Sequence, residues 1–129
     1  MKRIVTLALG AAAMAASAGP AFAAGNAAKG KSLFQAQCAA CHSVQKGQNG
    51  IGPSLYGVYG QPAAAAPGYQ FSSAMKSSHI TWTKAALDKF LADPQKDVPG
   101  TKMPYMGMAN AGDRQDVIAY LATLGSGGK

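Results

Sequence analysis

Hydrophobic residues recur at helical spacing in three segments of the chain. Residues 26–40, 83–92 and 110–124 place apolar side chains three and four positions apart, which predicts an amphipathic helix in each segment. Pro94 follows Asp93 and ends the second helix, because proline disfavours helical backbone at the residue before it. The first residue of each segment has a side chain that caps helices well: Asn26, Thr83 and Asn110. The pattern therefore predicts a mainly helical domain.

The first 23 residues have the features of a secretory signal peptide. Two basic residues at positions 2 and 3 precede an uncharged run over residues 4–16, and small residues follow at positions 21 and 23. The alternatives are a buried N-terminal helix and an earlier cleavage after Ala18. We predict cleavage after Ala23, which leaves a single domain over residues 24–129 in the periplasm, without stable insertion in the membrane.

Charge indicates a protein partner for the exported chain. The full chain has 12 lysines and arginines against 5 acidic residues, a net charge of +7. Removing the first 23 of the 129 residues takes Lys2 and Arg3 away and leaves 106 residues with a net charge of +5. An exported protein does not meet nucleic acid in its working compartment, so the basic excess indicates acidic protein surfaces as partners.

Long loops separate the predicted helices. Residues 42–68 are rich in glycine, proline, serine and glutamine, and residues 97–112 contain the Pro99-Gly100 turn. Structureless segments of this length are unusual in a small domain. A chain of this size with so few helices forms only a thin core. We therefore expect a large apolar cofactor in the centre, with the loops wrapped around it.

The sequence Cys38-Ala39-Ala40-Cys41-His42 indicates which cofactor this is. C-x-x-C-H is the attachment motif of c-type haem. Two thiols one helical turn apart can add to the two vinyl groups at one porphyrin edge, and His42 brings an imidazole to the iron. A thiol–disulfide pair is an alternative, but no strand of a βαβ unit precedes the motif. A zinc site needs two further ligands, and His79 is the only other histidine.

The occupant of the sixth coordination position of the iron determines the function. A protein ligand there favours electron transfer, whereas an open position permits gas binding or peroxide chemistry. Pro104 imposes an extended backbone on Met103, and the segment 99–104 is a rigid loop that can present a sulfur atom to iron. The residues by themselves leave several candidates open in the mature chain: Met75, His79, Met103, Met106 and Met108.

Beyond the haem motif, the chain resembles the class I c-type cytochromes of the mitochondrial and bacterial soluble type. The resemblance extends over nearly all of residues 30–124. Five ordered segments carry it: residues 52–57, 66–69, 80–82, 99–103 and 114–121. It implies the all-α cytochrome c fold, in which three to five helices and long loops surround one haem c attached through two thioethers. The N-terminal and C-terminal helices of that fold cross.

The resemblance also implies a role for individual residues. Cys38 and Cys41 would attach the haem, and His42 and Met103 would be its axial ligands. The carbonyl of Pro53 would accept the ring proton of His42 and fix the orientation of the imidazole.

Further residues are implied in the haem pocket and between the terminal helices. Trp82 and Thr101 would lie beside the haem propionates. Tyr69 and Phe90 complete the predicted pocket. Four residues would form the contact between the terminal helices: Gly30, Phe34, Val117 and Tyr120.

Four positions depart from the pattern of the family. Gln61 stands where arginine is common, Phe71 where tyrosine is common and Met75 where asparagine is common. Phe90 replaces a tyrosine whose hydroxyl reaches the methionine sulfur. Loss of a positive charge lowers the reduction potential, whereas loss of polar groups dries the pocket and raises it. These two effects on the reduction potential oppose each other, so the residues alone do not determine whether the potential rises or falls.

These features together predict a soluble periplasmic electron carrier, not an enzyme. It would be a monomer that shuttles single electrons between respiratory-chain complexes, such as a cytochrome bc complex and a terminal oxidase, or periplasmic redox enzymes. The alternative is a haem protein with a displaceable sixth ligand, either peroxidase-like or gas-binding. Lysines around the haem edge would steer acidic partners, first among them Lys46, Lys76, Lys96 and Lys102.

Overall fold

The computed structural model of the protein describes residues 10–13 and 24–125. The predicted signal peptide lies outside this range except for residues 10–13. Five helices occur in the described residues: α1 (Ala27–Gln37), α2 (Ser73–Lys76), α3 (Lys84–Ala92), α4 (Pro94–Asp97) and α5 (Ala111–Leu121). The same residues contain no β-strand beyond an isolated bridge between Pro62 and Thr81. The predicted all-α fold is confirmed, and no helix within these ranges is long and apolar enough to cross a membrane.

The three predicted helices begin at the predicted caps. The side chain of each cap residue accepts a hydrogen bond from the backbone N–H three residues further on, at 2.9–3.2 Å. Such bonds satisfy one of the N–H groups that an isolated helix end leaves without a partner. The confirmed caps are Asn26, Thr83 and Asn110.

Two predicted helix ends are wrong, and two short helices escaped prediction. α1 ends at Gln37 rather than at residue 40, because Cys38 leaves the helical conformation and residues 38–41 form a turn. α5 ends at Leu121 rather than at residue 124. α2 and α4 contain four residues each, so neither is long enough to show a helical period in the sequence.

The contact between α1 and α5 is the most extensive between any two helices in the described residues. A β-carbon at Gly30 would overlap the backbone carbonyl of Asp116, so only glycine lets the helices come this close. The rings of Phe34 and Tyr120 pack beside this point with centroids 5.5 Å apart. Val117, which follows Asp116 in α5, is buried as well. The predicted contact between the terminal helices is therefore present.

The buried side chains of α3 form a second group of core residues, apart from the contact between α1 and α5. Leu87, Phe90 and Leu91 of this helix also line a central cavity. Trp82, just before the helix, packs on Phe90 with ring centroids 5.0 Å apart. Asp93 ends α3 and caps α4, because its side chain accepts the N–H of Lys96 at 3.2 Å. The other buried apolar residues of this group are Met75, Leu87, Leu91, Val98 and Met108.

Asp116 joins the beginning of α1 to α5. One carboxylate oxygen accepts the backbone N–H of Asn26 at 2.7 Å, and the other lies 3.2 Å from the ammonium group of Lys29. The Asn26 N–H, with the help of Lys29, holds the pKa of the Asp116 carboxyl below its usual range. The N-terminal end of α1 also favours a negative charge at this place.

We expect Asp116→Asn to reduce the dependence of stability on acid pH. A carboxyl whose pKa is lower in the folded state stabilises the fold above its unfolded pKa of about 3.9. That contribution disappears as the pH falls through the lower folded value. The variant should therefore be less stable than the wild type at neutral pH, and the difference should shrink at a pH of about 3 or below.

Urea unfolding at neutral and acid pH measures this effect. Asp93→Asn is the matched control, because asparagine also caps helices and should keep α4 intact. A loss of stability for Asp116→Asn that is equal at both pH values would contradict the role of the charge.

Candidate haem site

A cavity of about 610 Å³ occupies the centre of the fold. This volume is within the range of roughly 300–1,000 Å³ that is usual for pockets that bind small molecules and cofactors. The two long loops supply much of its wall, through residues 51–58, 61–62, 64–67 and 101–105. Most of the lining side chains are apolar. The loops are therefore long because they enclose a space that the helices do not fill.

The turn over residues 38–41 presents both cysteines to this cavity. The backbone N–H groups of Cys41 and His42 donate to the carbonyl of Cys38 at 3.1 and 3.0 Å. Both thiols are half-buried, neither forms a disulfide, and both residues line the cavity. Two thiols and an imidazole therefore face one apolar space, as covalent haem attachment requires.

The chemistry of this turn disfavours the two alternative sites. Burial, with the neighbouring Cys41, raises the pKa of the Cys38 thiol to about 11. Reactive redox cysteines have a lowered pKa instead, so the raised pKa of Cys38 argues against a thiol–disulfide pair. In addition, no group of three or more His, Cys, Asp or Glu side chains within the described ranges is placed to hold a metal ion.

His42 is fixed in the orientation that an axial ligand needs. Its Nδ1 atom lies 2.8 Å from the carbonyl oxygen of Pro53, so the ring N–H donates to that oxygen and leaves Nε2 for a metal. A β-carbon at Gly52 would lie 2.6 Å from Cε1 of His42, so the imidazole rests directly on the glycine backbone. Burial lowers the pKa of His42, which favours the neutral form that binds metals.

The segment from Gly52 to Leu55 is itself joined by hydrogen bonds to residues 41–43. The N–H of Gly52 donates to the carbonyl of Cys41 at 2.8 Å, and the N–H of Leu55 donates to the carbonyl of Ser43 at 2.9 Å. These two bonds keep the Pro53 carbonyl opposite His42.

The structure reduces the candidates for the sixth ligand to two. Met103 and Met75 both line the cavity. Met106 is 87% exposed, and His79 is exposed as well. Met108 is only 5% exposed, but it packs in the core and does not line the cavity.

Hydrogen bonds determine the position of Met103. Its carbonyl accepts the side-chain amide of Gln95 at 2.6 Å, and its N–H lies 3.4 Å from the hydroxyl of Thr101. The turn before it closes with a bond from the Thr101 N–H to the Val98 carbonyl at 3.0 Å. Gly100 in that turn has a φ of 91°, a conformation that favours glycine.

All the other predicted pocket residues also lie around the cavity. Tyr69 donates its hydroxyl to the carbonyl of Ile51 at 2.9 Å, and its ring packs on Phe71. The four positions that depart from the family pattern are among the lining residues too. The predicted residues found in the lining are Pro53, Gln61, Tyr69, Phe71, Met75, Trp82, Phe90 and Thr101.

The predicted docking lysines divide into two groups. Lys102 lines the cavity and donates to the carbonyl of Gln70 at 2.9 Å. Lys46, Lys76 and Lys96 are exposed and do not line it. The ammonium groups of these three lysines therefore lie at the protein surface.

Sequence reasoning missed two residues, Tyr105 and Gln95, whose side-chain hydrogen bonds hold the loop around Met103. Tyr105 donates its hydroxyl to the side-chain oxygen of Gln37, which is 68 residues away in the chain, at 2.6 Å. Gln95 is 8 residues from Met103. Single polar contacts between distant positions leave no periodic signal, so only the fold reveals them.

The model of the cytochrome c family matches residues 27–125. The chain belongs to the cytochrome c family. A cytochrome c from Euglena viridis is 50% identical over 100 residues, which cover 78% of this chain and 98% of that protein. A cytochrome c2 from Rhodopila globiformis is 49% identical over 100 residues, which cover 78% of this chain and 94% of that cytochrome.

A solved structure extends the similarity to the fold. Cytochrome cH from Methylobacterium extorquens is 49% identical and superposes with a TM-score of 0.73, over 77% of this chain and 99% of that one. Cytochromes of this family bind one haem c covalently and transfer electrons. The chain is accordingly a monohaem electron-transfer protein rather than an enzyme. The two thiols, the imidazole and the methionine sulfur around one apolar cavity fit that cofactor.

Proposed function

We propose that this cytochrome is an exported one-electron carrier, with its haem attached at Cys38 and Cys41 and ligated by His42 and Met103. The observation that carries the proposal is that all four side chains line a single cavity. The hydrogen bond to the Pro53 carbonyl, which orients the imidazole, supports the assignment of His42.

This arrangement suits a carrier because both axial positions would be filled by the protein. Bound haem supplies a couple that accepts and releases one electron at the iron, and a methionine ligand raises the potential of that couple. The Pro53 carbonyl keeps His42 in one tautomer and one orientation. Gln95 and Thr101 keep the backbone of Met103 in place on the other side. A closed site of this kind has no open position for peroxide or a gas.

We place the carrier in the periplasm because of its first 23 residues. Their order of charge, apolar run and small residues is that of a signal peptide. We propose cleavage after Ala23, which leaves the whole of α1 and its Asn26 cap in the mature protein. The proposed donors and acceptors are membrane redox complexes, such as a cytochrome bc complex and a terminal oxidase, or periplasmic redox enzymes.

Charge supports acidic surfaces as the partners. The ion pairs within the described residues use Lys29, Lys89 and Arg114 as their cations. None of these pairs includes a predicted docking lysine, so those ammonium groups are not neutralised by a neighbouring carboxylate. Ile51 lines the cavity and is 73% exposed, which provides an apolar contact beside the proposed haem edge. We propose that this apolar contact and the unpaired lysines together form the surface for a transient electron-transfer complex.

The test is the salt dependence of electron transfer. A pyridine haemochrome spectrum first establishes one covalent haem per chain. Stopped-flow kinetics with an acidic redox protein then give the second-order rate constant, which should fall by roughly tenfold as the salt rises from about 0.01 to 0.3 M. The fall reflects the screening of long-range attraction between the two proteins.

A charge-matched comparison locates the docking surface. Lys76→Gln should lower the rate constant at low salt and make it less dependent on salt. Lys29→Gln removes the same charge at a lysine that already contacts Asp113 and Asp116, and it should have a smaller effect. A rate constant that does not respond to salt would contradict docking through the lysines.

A further inference from the structure

Side-chain hydrogen bonds join the segment that carries Met103 to three separate parts of the fold. The partners come from the loop before α2, from α4 and from the last residue of α1. The bonds are Lys102 Nζ to the Gln70 carbonyl at 2.9 Å, Gln95 Nε2 to the Met103 carbonyl at 2.6 Å, and Tyr105 Oη to Gln37 Oε1 at 2.6 Å.

The position of this segment depends on these side chains because its backbone has few partners. Backbone hydrogen bonds flank it, from the Thr101 N–H to Val98 and from the Met108 N–H to Leu91. Within the described residues, no backbone–backbone hydrogen bond involves a residue of the stretch 102–107. Segments with so few backbone contacts open locally at a low cost in free energy.

The bond between Tyr105 and Gln37 has a special position. Gln37 is the last residue of α1 and directly precedes Cys38 in the haem-attachment turn. Tyr105 lies two residues after Met103, and both partners line the cavity. The bond therefore connects the part of the chain that attaches the haem to the part that supplies the methionine, and both of its partners lie in the cavity wall.

We propose that Tyr105 is a positioning residue. Its hydrogen bond to Gln37 holds residues 102–107, the methionine segment, in place and thereby sets how often Met103 leaves the iron. The proposal rests on the function proposed above, since it requires Met103 as the sixth ligand. The latch is the pair Tyr105–Gln37. When the hydrogen bond between Tyr105 and Gln37 breaks, the methionine segment loses its connection to α1 but keeps its hydrogen bond to Gln95. Tyr105 thus acts on the iron through Met103 rather than by contact.

Tyr105→Phe tests the latch, because it removes the hydroxyl and keeps the ring in the cavity wall. An added ligand such as imidazole binds the ferric protein only after Met103 departs. We expect the rate of imidazole binding to rise about fivefold, which corresponds to the net contribution of one hydrogen bond. Amide hydrogen exchange in residues 102–107 should accelerate as well, and this readout does not depend on electron transfer.

A double-mutant cycle separates the latch from general loosening of the fold. Gln37→Leu should raise the imidazole rate as much as Tyr105→Phe does, and the double variant should be no faster than either one. Gln37→Glu keeps an acceptor oxygen and should retain the wild-type rate or slow it. Tyr120→Phe, which removes a tyrosine hydroxyl at the α1–α5 contact, is the control and should not change the rate.

The outcomes distinguish the latch from the proposed function. A Tyr105→Phe rate equal to that of the wild type, or additive effects of the two single variants, would overturn the latch alone. A wild-type ferric protein without sulfur–iron absorbance would overturn Met103 ligation, and the latch with it.

Discussion

The ferric Met103→Ala variant is expected to lose essentially all of its sulfur–iron charge-transfer absorbance. The reduced variant should bind carbon monoxide quickly at neutral pH, whereas the reduced wild type should not. The reason is that, in the proposed ligation, alanine would leave the distal side of the iron without a ligand, while His42 and both thioethers would remain. Absorption spectra of the ferric protein and of the reduced protein under carbon monoxide measure both effects.

Two other methionines provide matched controls for this prediction. Met106→Ala removes the same side chain from a position that is 87% exposed, so it should keep the absorbance of the wild type. Met75→Ala is the sharper comparison, because Met75 is the second methionine that lines the cavity. Loss of the absorbance in Met75→Ala and its retention in Met103→Ala would show that the ligand has been assigned to the wrong residue.

Gly30→Ala is expected to destabilise the fold by about 1–3 kcal/mol, the usual cost of overpacking a close contact. The added β-carbon would overlap the carbonyl of Asp116 in α5, and a helix backbone cannot move aside as a flexible side chain does. The intrinsic preference of helices for alanine over glycine, worth about 1 kcal/mol, opposes this effect and does not remove the clash.

Urea unfolding of the haem-loaded protein measures the change in stability. Gly50→Ala is the matched control, because a β-carbon at Gly50 would lie 3.8 Å from its nearest neighbour, the Cys41 carbonyl oxygen. That distance is ordinary contact, so the control should be close to the wild type in stability. Equal losses for the two variants would contradict the close approach of α1 and α5 as the cause.

The sequence by itself determined where the three long helices begin, the cofactor and the family of this protein. Asn26, Thr83 and Asn110 identify helix starts because a cap contacts an N–H only three residues away. The Cys38–His42 motif identifies covalent haem because the attachment chemistry requires that local spacing. Each of these signals lies within a few neighbouring residues, so no knowledge of the fold is needed to interpret it.

The tertiary structure decided which distant residues come together. It excludes Met106 and Met108 as neighbours of the cavity, although each lies within five residues of Met103 in the chain. It also reveals the contact of Asp116 with Asn26 and the bond of Tyr105 to Gln37. Such contacts join residues that are far apart in the sequence, so they depend on how the helices and loops pack in the folded protein. A periodic sequence pattern reflects only residues that are close together in the chain.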